Sequence, residues 1–169
     1  MWLLVVLALL LAPPSRAHAD PLLKVGDPFP AWTLPDHTGA PVSSADLAGK
    51  TYLLWFYPKA MTPGCTAEGR GLRDEVEGFR KQGVEILGVS FDDPATNAAF
   101  AKAEGFPFRL LSDQHRDLAV RVGAADSTSA PVAHRISYLV GPDGKVRQVY
   151  AAVNPTSHAK EVLGGLAGS

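Results

Sequence analysis

The sequence predicts an α/β fold in which helices flank a mixed central sheet, and three observations support this prediction. Residues 51–57 form a continuous apolar run, typical of a strand buried on both faces. A second apolar run, residues 84–91, follows a helical segment, and the strand, helix, strand order requires a parallel crossover. Near the end, the turn sequence at residues 141–144 predicts an antiparallel hairpin beside this parallel core.

The first half of the chain gives these elements in order. Residues 20–49 are rich in Pro, Gly and Asp, and they predict a small N-terminal hairpin with its turn at residues 36–39. The central strand at residues 51–57 is followed by a helix predicted over residues 63–82. Pro63 suits the opening position of that helix, and Gly83 suits its C-terminal cap.

The second half continues the alternation of strands and helices. Asp93 and Pro94 predict the start of a helix that ends near Glu104. The remaining predicted elements are a strand at 108–111, a helix at 114–122, a loop at 124–132, hairpin strands at 136–140 and 145–151, and a closing helix at 156–166. No internal repeat or low-complexity tract interrupts this order.

Length and composition indicate one globular domain. The chain has 169 residues, of which 46% are hydrophobic and 20% charged, enough for a sizeable core. The formal net charge is −1 and the sequence pI is about 6.5, with no basic cluster. Such a charge balance favours neither nucleic acid nor an anionic membrane as a partner.

The first nineteen residues have the pattern of a secretory signal peptide. Residues 2–12 are almost wholly aliphatic, and Ala17, His18 and Ala19 supply a small-residue cleavage site. The apolar run has eleven residues, against the roughly 20 that a membrane-spanning helix requires. We therefore predict cleavage after Ala19, export to the periplasm or medium, and a single domain over residues 20–169. An uncleaved anchor and a wrongly assigned start codon remain the alternatives.

The single cysteine, Cys65, is the best clue to function. It falls in the first turn of the predicted helix, where unpaired backbone N–H groups and the helix dipole favour the anionic thiolate. An exported protein normally pairs its structural cysteines, and this chain has no second one. A free reactive thiol, an intermolecular disulfide and a small buried hydrophobe are the possible interpretations.

The neighbours of Cys65 make a family resemblance specific. Pro58, Thr62 and Cys65 match the signature Pro-x-x-x-Thr-x-x-Cys, with Tyr57, Gly64, Glu68, Arg73 and Asp74 also in place. This segment resembles the peroxiredoxins of the AhpC/TSA superfamily, in the branch named for bacterioferritin comigratory protein. Segments at residues 26–30 and 134–144 fit as well, so the resemblance covers most of residues 23–166. It implies a thioredoxin-like fold and a thiol-dependent peroxidase that reduces hydrogen peroxide and organic hydroperoxides.

The resemblance also implies roles for the catalytic residues. The Cys65 thiolate would attack one peroxide oxygen and become a sulfenic acid. Thr62 and Arg135 would contact the peroxide and the sulfur, since a hydroxyl can rotate towards oxygen and a guanidinium is a fixed cation. Pro58, which has no N–H, would shield the thiolate from bulk water.

Four further residues are implied as supporting ones. Glu68 would accept hydrogen bonds from the arginines and position them, with Arg73 a candidate for the second arginine. The backbone N–H of Gly64 would add a donor at the helix start. Tyr57 adjoins Pro58 and belongs to the same motif. Read without the resemblance, Thr62 could simply cap the helix, and Arg135 could be a surface charge.

The chain departs from this family at one informative position. Many relatives carry a resolving cysteine five residues after the first, where this chain has Arg70. An internal disulfide is therefore impossible, and an external thiol, or a mixed or intersubunit disulfide, must resolve the sulfenic acid. Gly69 and Gly71 flank Arg70. They indicate either close packing or a helical turn that unwinds easily.

Other sequence features predict less. The five histidines are dispersed without metal-ligand spacing, so surface or capping roles are expected for them. No metal or cofactor is predicted. Among the histidines, only His134 adjoins a site residue, Arg135. A thioredoxin-like dithiol exchanger would need a cysteine where Thr62 stands. A peroxide sensor or binding module needs the same thiolate as the enzyme, so the sequence does not separate these functions. A monomer is the default expectation.

Overall fold

Seven strands and five α-helices follow one another along residues 22–167, the part of the chain that the computed structural model describes. The strands are β1 (Thr33–Pro35), β2 (Pro41–Ser43), β3 (Thr51–Phe56), β4 (Val84–Ser90), β5 (Arg109–Ser112), β6 (Ile136–Val140) and β7 (Val146–Tyr150). The helices are α1 (Pro63–Asp74), α2 (Val76–Lys81), α3 (Pro94–Glu104), α4 (Asp117–Arg121) and α5 (His158–Ala167), and a short 3-10 helix covers Ser44–Leu47.

The central sheet has the order β5-β4-β3-β6-β7. Strand β3 pairs parallel with β4 and antiparallel with β6, so the sheet is mixed, as predicted. The first two strands form a separate antiparallel hairpin, in which the Asp36 carboxylate accepts the backbone N–H groups of Thr38 and Ala40. The predicted α/β architecture, its central strand and its N-terminal hairpin are confirmed.

Two apolar clusters cover the two faces of this sheet, because β3 sends alternate side chains to each. Tyr52, Leu54 and Phe56 enter one cluster, which packs against α4 and the N-terminal hairpin. Leu53 and Trp55 enter the other, which packs against α1, α2, α3 and α5 and contains Cys65. Strand β3 is therefore buried on both faces, and the cysteine lies on the side covered by four helices.

Two predicted helices differ from the structure. The helix expected over residues 63–82 breaks at Glu75, whose φ of −97° and ψ of 6° leave the helical region. The two pieces have different partners, since α1 packs against α5 and α2 packs on β4. The helix expected over residues 114–122 begins only at Asp117, because Arg116 has a positive φ of 62° and the Asp113 carboxylate binds the N–H of Ala119 instead.

The predicted signal segment, residues 1–19, lies outside the described residues and stays a prediction. Over residues 22–167, none of the helices has both the length and the apolar character that a membrane crossing requires.

Candidate active site

Cys65 lies in the first turn of α1 and is fully buried. Thr62 occupies the N-cap position, Pro63 opens the helix, and the first backbone bond runs from the N–H of Thr66 to the carbonyl of Thr62 at 2.9 Å. The N–H groups of Gly64 and Cys65 therefore precede the helical bonding pattern. These N–H groups belong to the positive end of the helix dipole, in the same turn as the sulfur.

Arg135 is the charged side chain that contacts the sulfur. Its Nη2 lies 3.5 Å from the Sγ of Cys65. The sheet explains this proximity: Ile136 in β6 pairs with Phe56 in β3, so Arg135 stands beside the chain that leaves β3 towards Cys65. The sequence-predicted pair is brought together by strand pairing between distant parts of the chain.

Glu68 holds the same guanidinium from one turn further along α1. Its buried Oε2 accepts a hydrogen bond from the Nη1 of the half-buried Arg135, and the two side chains form an ion pair. Burial raises the pKa of Glu68, while Trp55 and Arg135 nearby lower it. Burial also opposes the charge of Arg135, but Glu68 and then Cys65 outweigh it and raise its pKa. Because an arginine in a protein stays charged, Glu68 serves as its counter-ion.

Gly64 provides the space that Arg135 occupies. A Cβ atom at Gly64 would lie 3.0 Å from the Nη2 of Arg135 and 3.7 Å from its Cζ. Any larger residue at this position would press on the guanidinium at the point where it faces the sulfur. The glycine predicted as a backbone donor therefore also has a steric role.

Thr62 does not cap the helix with its side chain. Its hydroxyl donates to the carbonyl of Lys59 at 2.8 Å, and α1 has no side-chain cap. The structure thus excludes the simple capping interpretation and leaves the hydroxyl oxygen free to accept. Pro58 is half-buried and directly follows the buried Tyr57 at the end of β3. Both signature residues therefore belong to the loop that joins β3 to α1.

That loop is held by Asp92, the residue directly before the helix start predicted at Asp93 and Pro94. The Asp92 Oδ2 accepts the backbone N–H of Ala60 and the hydroxyl of Ser90, each at 2.9 Å. The next residue, Met61, has a positive φ of 62° and is 54% exposed. A non-glycine residue in this conformation costs roughly 1 kcal/mol, so the Asp92 contact helps to keep a strained loop in place.

Tyr57 supports the site by packing. Its hydroxyl donates to the Oδ1 of Asn97 at 2.6 Å, within a buried polar network that includes Ser90. Its ring stacks at an angle on Trp55, with centroids 4.6 Å apart. Burial raises the pKa of Tyr57, so its phenol stays neutral. The hydroxyl is therefore committed to Asn97.

The expectation that Arg73 is the second arginine on Glu68 is not met. Arg73 donates to the Asp74 carboxylate at 2.8 Å and to the backbone carbonyl of Glu104 at 2.7 Å. Its side chain leaves α1 towards α3, on a different face from Glu68. Arg70, at the position of the missing cysteine, also pairs with Glu104, through its Nε at 2.6 Å. Both arginines thus join α1 to the end of α3.

The two glycines beside Arg70 differ from one another. A Cβ atom at Gly69 would lie 2.4 Å from the Cζ of Phe106 and 3.0 Å from the Cη2 of Trp55. At Gly71 the nearest atom would be the Cβ of Ala159 at 3.7 Å, an ordinary contact. Close packing therefore explains Gly69 and does not explain Gly71.

His158 is a site neighbour that sequence reasoning missed. It was expected to have a surface or capping role, yet it is fully buried at the start of α5. Its Nε2 lies 2.9 Å from the Ser137 hydroxyl and 3.8 Å from the Oε1 of Glu68. His134, which adjoins Arg135, is exposed and lies 3.6 Å from Asp126. The only available signal for His158 was its position in an apolar helix face.

No group of three or more His, Cys, Asp and Glu side chains within residues 22–167 is arranged to hold a metal ion. The chemistry that this arrangement offers is that of one buried sulfur beside a fixed cation. A thiolate at this position would meet Arg135 on one side and the start of α1 on the other.

The comparisons with known proteins agree with this chemistry. The model of the AhpC/TSA family matches residues 25–149. The chain belongs to the AhpC/TSA family. It is 40% identical over 149 residues to peroxiredoxin Bcp of Escherichia coli (strain K12), an alignment that covers 85% of this chain and 96% of that protein.

Solved structures of family members have the same fold. Peroxidoxin BcpB from Mycobacterium tuberculosis superposes with a TM-score of 0.80 at 31% identity, over 86% of this chain and 97% of that one. The bacterioferritin comigratory protein of Xanthomonas campestris superposes with a TM-score of 0.77 at 30% identity, over 88% of this chain and 98% of that one. It was solved as trapped intermediate and ligand complexes that concern its alkyl peroxide reduction. The present chain is therefore a thiol-dependent peroxidase with a thioredoxin-like fold. The family recognised from its sequence is confirmed.

Proposed function

We propose that the enzyme reduces hydrogen peroxide and organic hydroperoxides through a sulfenic acid on Cys65. The observation that carries the proposal is the position of Arg135, which binds Glu68 through one nitrogen and faces the Cys65 sulfur through another. The thiolate attacks one peroxide oxygen, a sulfur–oxygen bond forms, and the oxygen–oxygen bond breaks. The departing oxygen takes up a proton and leaves as water or alcohol.

The surrounding groups stabilise the charge that moves in this step. Negative charge passes from sulfur to the departing oxygen, so donors must reach both atoms. In this proposal Arg135, whose Nη2 is 3.5 Å from the sulfur, serves the sulfur end, and the N–H groups of Gly64 and Cys65 at the start of α1 are the donors for the departing oxygen. Thr62 donates to Lys59 and offers its hydroxyl oxygen to the proton of the incoming peroxide. Pro58 excludes water from the mouth of the site.

The choice of substrates rests on the site and on one relative. The activity studied in the Xanthomonas campestris protein is alkyl peroxide reduction. Met61, exposed in the loop before α1 and four residues before Cys65 in the chain, is an apolar side chain suited to contact with an alkyl group. Hydrogen peroxide needs no such contact, so both substrates fit this antioxidant activity.

An external thiol regenerates the enzyme in this proposal. The chain contains one cysteine, so the sulfenic acid cannot form an internal disulfide. An incoming thiol forms a mixed disulfide with Cys65 and releases water, and a second thiol then reduces that disulfide. A small thiol or a thioredoxin-like protein could supply both equivalents.

Peroxide consumption tests the function directly. Residues 20–169 are assayed with hydrogen peroxide or cumene hydroperoxide and excess dithiothreitol, beside the variant Cys65→Ser. We expect many turnovers for the wild-type protein and none above background for the variant. Activity retained by Cys65→Ser would overturn the proposal. One equivalent of peroxide consumed, followed by no turnover, would indicate a peroxide sensor instead.

Export and a monomeric state complete the proposal. The apolar run at residues 2–12 and the small residues before Asp20 support cleavage after Ala19. Mass spectrometry of the protein from a fractionated bacterial host tests this, and a mature N-terminus at Asp20 in the periplasmic fraction is expected. A full-length chain in the cytosol would refute export.

Light scattering after size exclusion tests the monomeric state. A stable mass of twice the mature chain would refute it.

A further inference from the structure

A buried polar contact extends the site beyond the residues that the sequence predicts. His158 has no exposed surface, and its Nε2 lies 2.9 Å from the Oγ of Ser137 and 3.8 Å from the Oε1 of Glu68. The edge-on contact of its ring with Tyr150, at 5.2 Å between centroids, fixes the ring plane. Strands β6 and β7 and helix α1 thus enclose one imidazole next to the Glu68 carboxylate.

Glu68 lacks a hydrogen-bond donor on one side. Its Oε2 is bound by Arg135, while its Oε1 is buried and has no hydrogen-bond partner among the described residues. A buried carboxylate oxygen without a donor is costly, so such oxygens are rarely left alone. Two N–H groups lie beside this carboxylate: the indole Nε1 of Trp55, which is buried without a hydrogen-bond partner among the described residues and lowers the pKa of Glu68, and the Nε2 of His158, which lies 3.8 Å from Oε1 and also contacts Ser137.

The neighbours of His158 determine which of its nitrogens carries the proton. The Nε2 faces two oxygens, whereas Nδ1 has no hydrogen-bond partner among the described residues. A lone pair on Nε2 would face the negative charge of Glu68, so the Nε2–H tautomer is favoured. Burial, and then the charge of Arg135, lower the pKa of His158 to about 4, which keeps the ring neutral at pH 7. The other groups around it are Ser137 and the neutral phenol of Tyr150.

We propose that His158 is a positioning residue that holds the Glu68 carboxylate ionised and directed at Arg135, and so acts on Cys65 through two further side chains. The order of contacts is His158 to Glu68, Glu68 to Arg135, and Arg135 to Cys65. Without the donor at Nε2, Glu68 is more easily protonated and Arg135 loses part of its counter-ion. The guanidinium then no longer stabilises the thiolate from a fixed position. This inference deepens the proposed function, because it concerns the same thiolate.

Two substitutions of His158 distinguish the effect of its Nε2–H donor from the effect of losing the volume of the imidazole ring. The amide nitrogen of Gln can reach the place of Nε2, whereas that of Asn reaches only the place of Nδ1. We therefore expect His158→Asn to raise the pH midpoint of Cys65 alkylation by iodoacetamide by about one unit, a roughly tenfold loss of thiolate below the midpoint. We expect His158→Gln to restore most of that shift. The assay contains no peroxide, so its outcome is independent of the proposed peroxidase function.

A purely structural role would give another result. Both variants would then lower the melting temperature, and neither would move the alkylation midpoint, which would overturn the proposal. A second test uses the Glu68→Gln background, in which His158→Asn should cause no further shift. An equal shift in that background would show that His158 does not act through Glu68.

The wild-type protein supplies a test that requires no variant. Nitrogen-15 NMR of the histidine rings distinguishes a protonated Nε2 from a protonated Nδ1. We expect the His158 signals to show Nε2–H at pH 7 and to stay neutral down to pH 5. An Nδ1–H tautomer would overturn the proposal, because Nε2 would then have no proton to direct at Glu68.

Discussion

The Nη2 of Arg135 lies 3.5 Å from the Sγ of Cys65, and the Nη1 of the same guanidinium binds Glu68. One planar cation therefore contacts two groups that can both be anionic. Its plane is fixed by the carboxylate, so its second nitrogen faces the sulfur without further ordering. This arrangement makes the shape of the cation as important as its charge.

Arg135→Lys should slow the attack on peroxide although the positive charge is kept. A point-like ammonium cannot bind Glu68 and the sulfur together in the same geometry, and the loss of one charged hydrogen bond corresponds to roughly a tenfold lower rate. Stopped-flow measurement of the second-order oxidation of Cys65 gives this rate. The matched control is Arg109→Lys, which changes an arginine paired with Glu85. Equal rates for the wild type and Arg135→Lys would contradict the proposal that the two guanidinium nitrogens must contact Glu68 and the sulfur together.

Asp92→Ala should release the loop before α1. The change removes the acceptor of the Ala60 N–H, so the strained Met61 can relax and Thr62 loses its fixed place. We expect a loss of about 1–2 kcal/mol in the free energy of unfolding and an oxidation rate lowered by roughly fivefold. Urea unfolding and stopped-flow kinetics measure the two effects.

The neighbouring Asp93 provides the control for Asp92. Its carboxylate caps α3 through the N–H of Thr96 at 2.7 Å, with no contact to the loop. Asp93→Ala should cost about 1 kcal/mol of stability and leave the oxidation rate unchanged. If both variants slowed oxidation equally, the effect would come from general destabilisation. The hydrogen bond from the Ala60 N–H to Asp92 would then have no specific role in oxidation.

Gly69→Ala and Gly71→Ala should change stability in opposite directions. At Gly69 the new methyl group would overlap Phe106 and Trp55, which costs about 1–3 kcal/mol. At Gly71 the methyl group has room, and the higher helix propensity of alanine should add about 1 kcal/mol. Thermal or urea unfolding of the two variants measures both values. Stabilisation by Gly69→Ala would show that the Phe106 ring moves aside easily.

His158 should make the fold sensitive to mild acid. The unfolded histidine takes up a proton near pH 6.5, whereas burial holds the folded pKa at about 4. His158 therefore leaves the free energy of unfolding unchanged above pH 6.5 and lowers it as the pH drops towards 4, by about 3 kcal/mol in total. Glu68 and Asp113, whose pKa values are raised by burial, act in the opposite direction, so the comparison with His158→Gln isolates the histidine. A stability difference between the two proteins that did not change with pH would contradict this prediction.

The parts of the fold that depend on local pattern could be predicted from the sequence. The apolar run of β3 and the turns of both hairpins are such cases. The break at Glu75 could not, because neither glycine nor proline marks it and the cause lies in what α1 and α2 pack against.

The site shows the same limit. Resemblance, and not spacing, connected Arg135 with Cys65, since strand pairing brings them together. His158 looked like an ordinary polar residue at a helix start. Gly69 and Gly71 are equivalent in sequence, and only the packing of Phe106 against Gly69 distinguishes them.

Cys65 and Arg135 are 70 residues apart in the chain, and the strands that join them lie at the centre of the sheet. No short segment of the polypeptide can therefore bring this guanidinium to the sulfur. In a nascent or partly unfolded chain Cys65 has no Arg135 beside it, and the contact arises only once β3 and β6 have paired. Folding also buries the thiol completely, so its accessibility to alkylation during refolding would show when the sheet closes.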